Sequence, residues 1–353
     1  MYVYFEELGL TGQQIGWLAT LAPVMMLVSF PVAWFADKNR LKVRFLQISV
    51  IGLCVIVFLL GYAKEFKAIF LLVLLMAVIN SPIMPLAESM IARAAQRDHL
   101  NYGSMRLWGS YGYALSALIF GLMWDEYGFG PMFTVASIIL IPVIWISGKL
   151  EEGPRGETQE NGSILKIFSK PGLAFLIVAT FFSGIANSIG MTFAGMYAHS
   201  LGGDNSLIGV MIATGAMVEF PIMYYSEQIA RKLTSANTLL ISYGLMAMSY
   251  VCFIFFPSPG LLPLFSVFKG LGFALWITNT IRLFTEHAPP QWSATGQSAL
   301  TFSMMGLAPL VAGPVGGWFY DSVHPSAVFW FAILALLLAS AVVWLASFKK
   351  YLE

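Results

Sequence analysis

Four ionisable side chains interrupt stretches that are otherwise almost wholly apolar: Glu88, Arg106, Glu219 and Lys269. A fifth, Arg282, lies near the end of the same stretch as Lys269. A charged group held in hydrocarbon costs at least about 2.5 kcal/mol, so each asks for a reason. Glu219 falls about 13 residues into its stretch, roughly 20 Å if the stretch is helical, and Lys269 about 8 residues or roughly 12 Å, which places the two at nearly the same depth. Buried carboxyls are the usual carriers of coupled protons, and Glu219 is the first candidate for that task, with Glu88 second. Lys269 can bind an anionic solute or pair with Glu219. In the paired case, protonating the acid frees the amine for a carboxylate. Arg106 is suited to a bidentate grip on carboxylates or vicinal hydroxyls. The bland alternatives are a structural acid held by a hydroxyl or base, a snorkelling Lys, and a Glu88–Arg106 pair that only fixes helix contacts.

The elements that must hold these groups are membrane-spanning helices. The 353 residues are 58% hydrophobic and only 10% charged, far below the roughly 25% charge of soluble domains. A spanning helix needs about 20 mostly apolar residues. Eleven segments qualify: 13–36, 44–63, 68–92, 104–124, 131–148, 171–197, 207–230, 237–256, 261–285, 297–319 and 325–348. Fourteen of the 19 basic residues fall on one set of connections and only Lys64 and Lys67 on the other. The positive-inside rule then makes the first set cytoplasmic, including the polar linker 149–170 and the C-terminus, and turns the first residues outward. The domain reading is a bundle over 1–148, the linker 149–170 and a second bundle over 171–353.

Positions 193 apart match without a gap. Tyr4 meets Tyr197, Leu8-Gly9 meets Leu201-Gly202, Ile15-Gly16 meets Ile208-Gly209, and Gly103 meets Gly296. Two parallel halves of this kind are the layout of one large transporter architecture. The second half opens with a helix at 171–197. Subtracting 193 makes MYVYF the tail of a first helix, so a twelve-helix design with its first helix missing is expected, against a natural eleven-helix chain.

The residues resemble the major facilitator superfamily. AWFADKNRLKVR is similar to its Gly-x-x-x-Asp-Arg-x-Gly-Arg-Arg loop, with Asp37 and Lys38 at the acidic–basic core and Ala33 and Arg40 in place of the glycines. Within it the chain resembles the phenylpropionate-permease branch, close to lactose-permease and nucleoside/proton-symporter groups. SPIMPLAESM places Glu88 in the branch's acid position, NYGSMRLWGSYGY resembles its Tyr-Gly-x-x-Arg-Leu-Trp-Gly-Ser run, and GAMVEFP places Glu219. Arg282 falls where the branch has an Arg, while Asn187 stands where it often has a His, so a titrating role there is lost. The resemblance implies an all-α polytopic membrane protein of two pseudo-symmetric bundles, 11 spans present of 12. It implies that Glu88, Arg106, Glu219 and Lys269 line a central cavity or the seam between the halves, and that Asp37 and Lys38 form a cytoplasmic gate, against a solvated charge run that only sets topology. Asn187, Asn279 and Asn80 either touch solute or hydrogen-bond between helices.

The function this supports is a secondary transporter, monomeric in the inner membrane, that couples uptake of a small organic solute to protons. The solute classes are a carboxylate, a sugar or a nucleoside. The alternatives are a drug/proton antiporter and a non-transporting sensor or scaffold. Other chemistry finds no support. His99, His199, His287 and His324 are scattered over different connections, which suggests no metal site. No phosphate-binding loop of Gly-x-x-x-x-Gly-Lys-Ser/Thr type is present, and no cofactor or enzyme reaction is indicated. A net charge of +1 argues against nucleic-acid partners. Cys54 and Cys252 read as small apolar fillers. Gly313-x-x-x-Gly317 reads as a helix-packing stripe, and Trp34, Trp124, Trp318 and Trp344 as anchors at the membrane interfaces.

Overall fold

A computed structural model describes residues 1–21, 41–84, 102–149, 171–225, 234–287 and 299–349, with scattered positions between 25 and 39 and at 86, 87, 90, 91, 228 and 229. For 102–107, 110 and 285–287 it describes the backbone alone. The described residues are almost all helical. In chain order they form α1 (Tyr2–Glu7), α2 (Gly12–Ala19), α3 (Lys42–Leu60), α4 (Phe66–Asn80), α5 (Tyr102–Tyr127), α6 (Met132–Ser147), α7 (Pro171–Ser200), α8 (Asn205–Tyr224), α9 (Ser235–Phe255), α10 (Leu262–His287), α11 (Ala308–Ser322) and α12 (Ala327–Phe348). A π-helical turn, Phe302–Leu307, leads into α11. Among the described residues, seven helices are long and apolar enough to span a bilayer, and α4 and α6 are shorter apolar helices.

Turn chemistry sets the starts. Thr11 caps α2 by accepting from the Gln14 amide, and the Gln14 side chain answers at the Thr11 amide, closing a capping box. Asp204, 193 residues on, caps α8 through the Leu207 amide. The turns before these caps also correspond. Gly9 has φ 85° and Gly202 φ 83°, a left-handed conformation that glycine adopts without a Cβ clash. The amides around each glycine bond back in the same way: Gly9 to Glu6 and Leu10 to Phe5, Gly202 to His199 and Gly203 to Ala198. The internal offset read from the sequence therefore has a structural counterpart, down to the backbone of one turn.

Contacts divide the chain into two compact units. The first comprises Met1–Thr20, Tyr113–Leu122 and Glu160–Glu353, and the second Leu21–Gly112 and Met123–Gln159. In the second unit α3 packs on α6 and α4. Ala36, Leu46, Val50, Leu86 and Met90 form its buried cluster. Ser137 and Cys54 tie α6 to α3: the Ser137 hydroxyl donates to the Cys54 carbonyl at 3.1 Å, and the Cys54 thiol reaches the Ser137 carbonyl at 3.3 Å. Trp124 is buried rather than interfacial, a correction to its expected anchoring role. Trp318 and Trp344 are exposed, and Trp34 lies outside the described residues.

In the first unit α7 packs on α12 and α11, α9 on α10 and α12, and α8 on α10. Stacked and edge-on rings of Tyr197, Tyr250, Phe253 and Phe329 fill the space between α7, α9 and α12. Two crossings in this unit depend on glycine. On the α2–α11 side, a Cβ on Gly16 would strike the Gly313 carbonyl, and one on Gly317 the Gly12 carbonyl. On the α5–α8 side, a Cβ on Gly209 would lie 3.2 Å from the Gly121 Cα and against the Ala117 carbonyl. The packing role read for Gly313-x-x-x-Gly317 is what the structure shows.

Candidate functional site

The first unit brings together Asn187 and Gly190 on α7, Glu219 on α8, Tyr250 on α9 and Lys269 on α10. Gly190 makes the meeting possible. A Cβ there would lie 3.0 Å from both Cε and Nζ of Lys269 and would collide with the Tyr250 hydroxyl. Tyr250 is fully buried and donates to the Ala186 carbonyl at 2.7 Å, so its ring is fixed from α9 to α7. The Lys269 amine thus lies along the α7 backbone, and Asn187, half-buried one turn away, shares that face.

Glu219 is half-buried. Its charge acts on Lys269 and on Tyr113 of α5 through space. The helix crossing shows how the acid and the base stand in height. Gly270 abuts Gly215 where α8 and α10 cross, so Lys269 stands level with about residue 214. Glu219 is then five residues, about 7 Å, further along the axis. Counting from the ends of the apolar runs, about 13 residues for Glu219 and about 8 for Lys269, carries the same five-residue difference. The offset leaves the amine directed to α7 and the carboxyl a turn away. The two charges influence one another without an ion-pair contact.

The other predicted residues separate. Asn279 is buried, and its Nδ2 donates to the Ser235 carbonyl at 2.6 Å. It tethers α10 to the start of α9, the helix-to-helix bond that is one of its two readings, and its Oδ1 is buried without a hydrogen-bond partner. Arg282 is half-buried on α10, 13 residues or about 20 Å beyond Lys269, too far to share a site with it. Arg106 lies on the α5 backbone, its side chain outside the described residues. Glu88, Asp37 and Lys38 also lie outside them. Tyr113 and Tyr250 are functional candidates that the sequence reading missed. Their signal was a tyrosine inside an apolar run, which alone is common.

Glycine at a helix crossing, an amine laid on that glycine and a carboxyl one turn away fit a solute site within a helix bundle. Residues 1–331 match the MFS_1 like family, MFS being the major facilitator superfamily. The chain belongs to this family. The major-facilitator fold is shared with solved transporters. A crystal structure of the nucleoside transporter NupG superposes with a TM-score of 0.84 at 14% identity, covering 100% of this chain and 93% of that one. A bacterial homologue of the human lysosomal transporter Spinster gives 0.72 at 16% identity, covering 100% and 93%. The maltose permease of Geobacillus stearothermophilus is 24% identical over 330 residues, 92% of this chain and 84% of that protein. A probable 3-phenylpropionic acid transporter of Escherichia coli is 22% identical over 249 residues, 68% and 65%. The protein is a multi-pass membrane transporter of this superfamily, not an enzyme.

Proposed function

We propose that this major-facilitator protein is a proton-coupled symporter of a small organic solute, with Glu219 as the coupling acid and Lys269 as the solute-binding cation. The observation that carries the reading is the Lys269 amine lying over Gly190, half-buried and within the electrostatic reach of Glu219 but not bound to it. A cation so placed is available to a solute, and the charge of Glu219 sets how strongly it attracts one. Protonating Glu219 removes the competing anion and strengthens the hold on a carboxylate or a polarised hydroxyl. The solute class is a carboxylate, a sugar or a nucleoside. Relatives named for maltose and 3-phenylpropionic acid transport support that range.

The test is uptake into vesicles. Glu219→Gln is expected to abolish solute-driven proton entry while solute exchange persists. Undiminished alkalinisation outside the vesicles on adding solute would remove Glu219 from coupling. Lys269→Ala is expected to weaken solute affinity at least about tenfold, by loss of a charge-assisted contact. If affinity is unchanged, Lys269 is a packing residue. Relatives also include multidrug resistance proteins, one 25% identical over 216 residues. Solute and proton moving in opposite directions would establish antiport instead.

A further inference from the structure

A second group of titratable side chains gathers far from Glu219, at the end of the bundle that the basic residues assign to the outside. His199, near the end of α7, stands between two carboxylates of α1. Its Nδ1 is 3.5 Å from Glu6 Oε2, and its Nε2 is 3.7 Å from Glu7 Oε1. From α11 the Tyr320 hydroxyl donates to Glu6 Oε1 at 2.7 Å and also approaches the Met196 carbonyl. Asp321, the next residue, accepts from the Gly12 and Gln13 amides at 2.8 Å each, so its charge is spent on the first turn of α2. Glu6 Oε2 is buried and has no hydrogen bond. The groups facing the cluster are therefore Glu6 and Glu7 from α1, His199 from α7, and Tyr320 and Asp321 from α11.

We propose that Glu6, His199 and Glu7 form a proton-binding site, and that the proton held there fastens α1 to α7. The reason is the donor count of imidazole. A neutral ring has one N–H and one lone pair, whereas the charged ring has two N–H groups. Both ring nitrogens here face carboxylate oxygens, so only the charged ring suits both sides. Without the proton, one nitrogen presents a lone pair to an acid, and two carboxylates are left close together. Glu6 and His199 are also separated by the repeat offset of 193, so equivalent positions of the two halves carry opposite charges and meet. Burial pushes the Glu6 carboxyl above the ordinary carboxylate range, while the Tyr320 hydroxyl bond and the neighbouring His199 draw it back. The clasp therefore holds while the three groups share that proton and loosens as alkali removes it; the raised Glu6 carboxyl works in the same direction, favouring the protonated cluster. The site goes beyond the coupling reading at Glu219, and its test does not measure transport, so either can fail without the other.

Val3 is buried on α1 and lies 3.4 Å from where a Gly195 Cβ would stand on α7. Release of α1 therefore exposes it. In full-length protein carrying Cys54→Ser, Cys252→Ser and Val3→Cys, maleimide labelling is measured at pH 6.0 and 8.5, each rate normalised to the unfolded chain at the same pH. Labelling is expected to be at least threefold faster at pH 8.5. His199→Gln is expected to label fast at both values, and His199→Arg, charged throughout, slowly at both. Should His199→Gln fail to fold, Glu6→Gln with Glu7→Gln carries the same expectation of fast, flat labelling. Equal normalised rates at the two pH values in the parent protein, or an undiminished pH response in His199→Gln, would overturn the proposal.

Discussion

The α2–α11 and α5–α8 crossings are built from corresponding positions, yet they are closed differently. Gly16 and Gly209 are 193 apart, as are the caps Thr11 and Asp204. At both crossings a glycine lets backbone meet backbone. At α8 the start of the helix is satisfied locally, with Asp204 accepting from the Leu207 amide and the Ser206 hydroxyl. At α2 the local cap is a threonine, and a carboxylate from a distant helix, Asp321, takes two more amides. The repeat thus preserves the geometry of contact, while titratable groups gather at the helix ends of one crossing and at mid-helix Glu219 near the other. Close approach is a backbone property that duplication copies directly. Charge placement rests on single side chains, and the two halves carry different ones at corresponding positions, Thr11 against Asp204 and Glu6 against His199.

The comparison breaks most sharply at the glycines. Gly16→Val and Gly209→Val each insert carbon where a carbonyl lies, and overpacking of this kind costs about 1–3 kcal/mol. Each is expected to cut solute uptake about tenfold or more in vesicles matched for protein content. A tolerant Gly209→Val beside an inactive Gly16→Val would show that only one crossing must close. The caps give a smaller effect. Asp204→Ala is expected to destabilise by about 1 kcal/mol in thermal unfolding. Thr11→Ala is expected to cost less, because Asp321 still holds the Gly12 and Gln13 amides. Adding Asp321→Ala to Thr11→Ala should then cost more than the sum of the separate changes. Smallest is Tyr250→Phe, which removes one buried bond to Ala186 and is expected to cost about 1 kcal/mol or less.

The helices and the repeat were legible because hydropathy and chain offset are local or periodic signals. Gly9 and Gly202 could be matched as letters, and their shared left-handed turn confirmed the match. Glu219 and Lys269 stood out because charge is rare in apolar runs. Their offset along the axis was legible too, since the residue counts differ by the same five that the crossing at Gly215 and Gly270 sets. The Glu6–His199 contact was hidden. Near helix ends, acids and histidines look solvated, and nothing in sequence shows that residues 193 apart face each other. Asn279 read equally as a ligand or as a tie between helices, and its amide on Ser235 shows the tie. Trp124 lies near the end of its span, but neighbouring side chains bury it.

The π-helical turn at Phe302–Leu307 was not anticipated either. Such a turn holds one more residue than its neighbours, so everything after it is rotated by about 100° against a plain α-helix. Ser303, which donates to the Ile177 carbonyl of α7 at 3.0 Å, and Gly313, which meets Gly16, therefore do not belong to a single straight stripe. Removing one residue from this turn would let the helix run regular, and it would then have to choose: keep its grip on α7 or present its smooth side to α2, but not both.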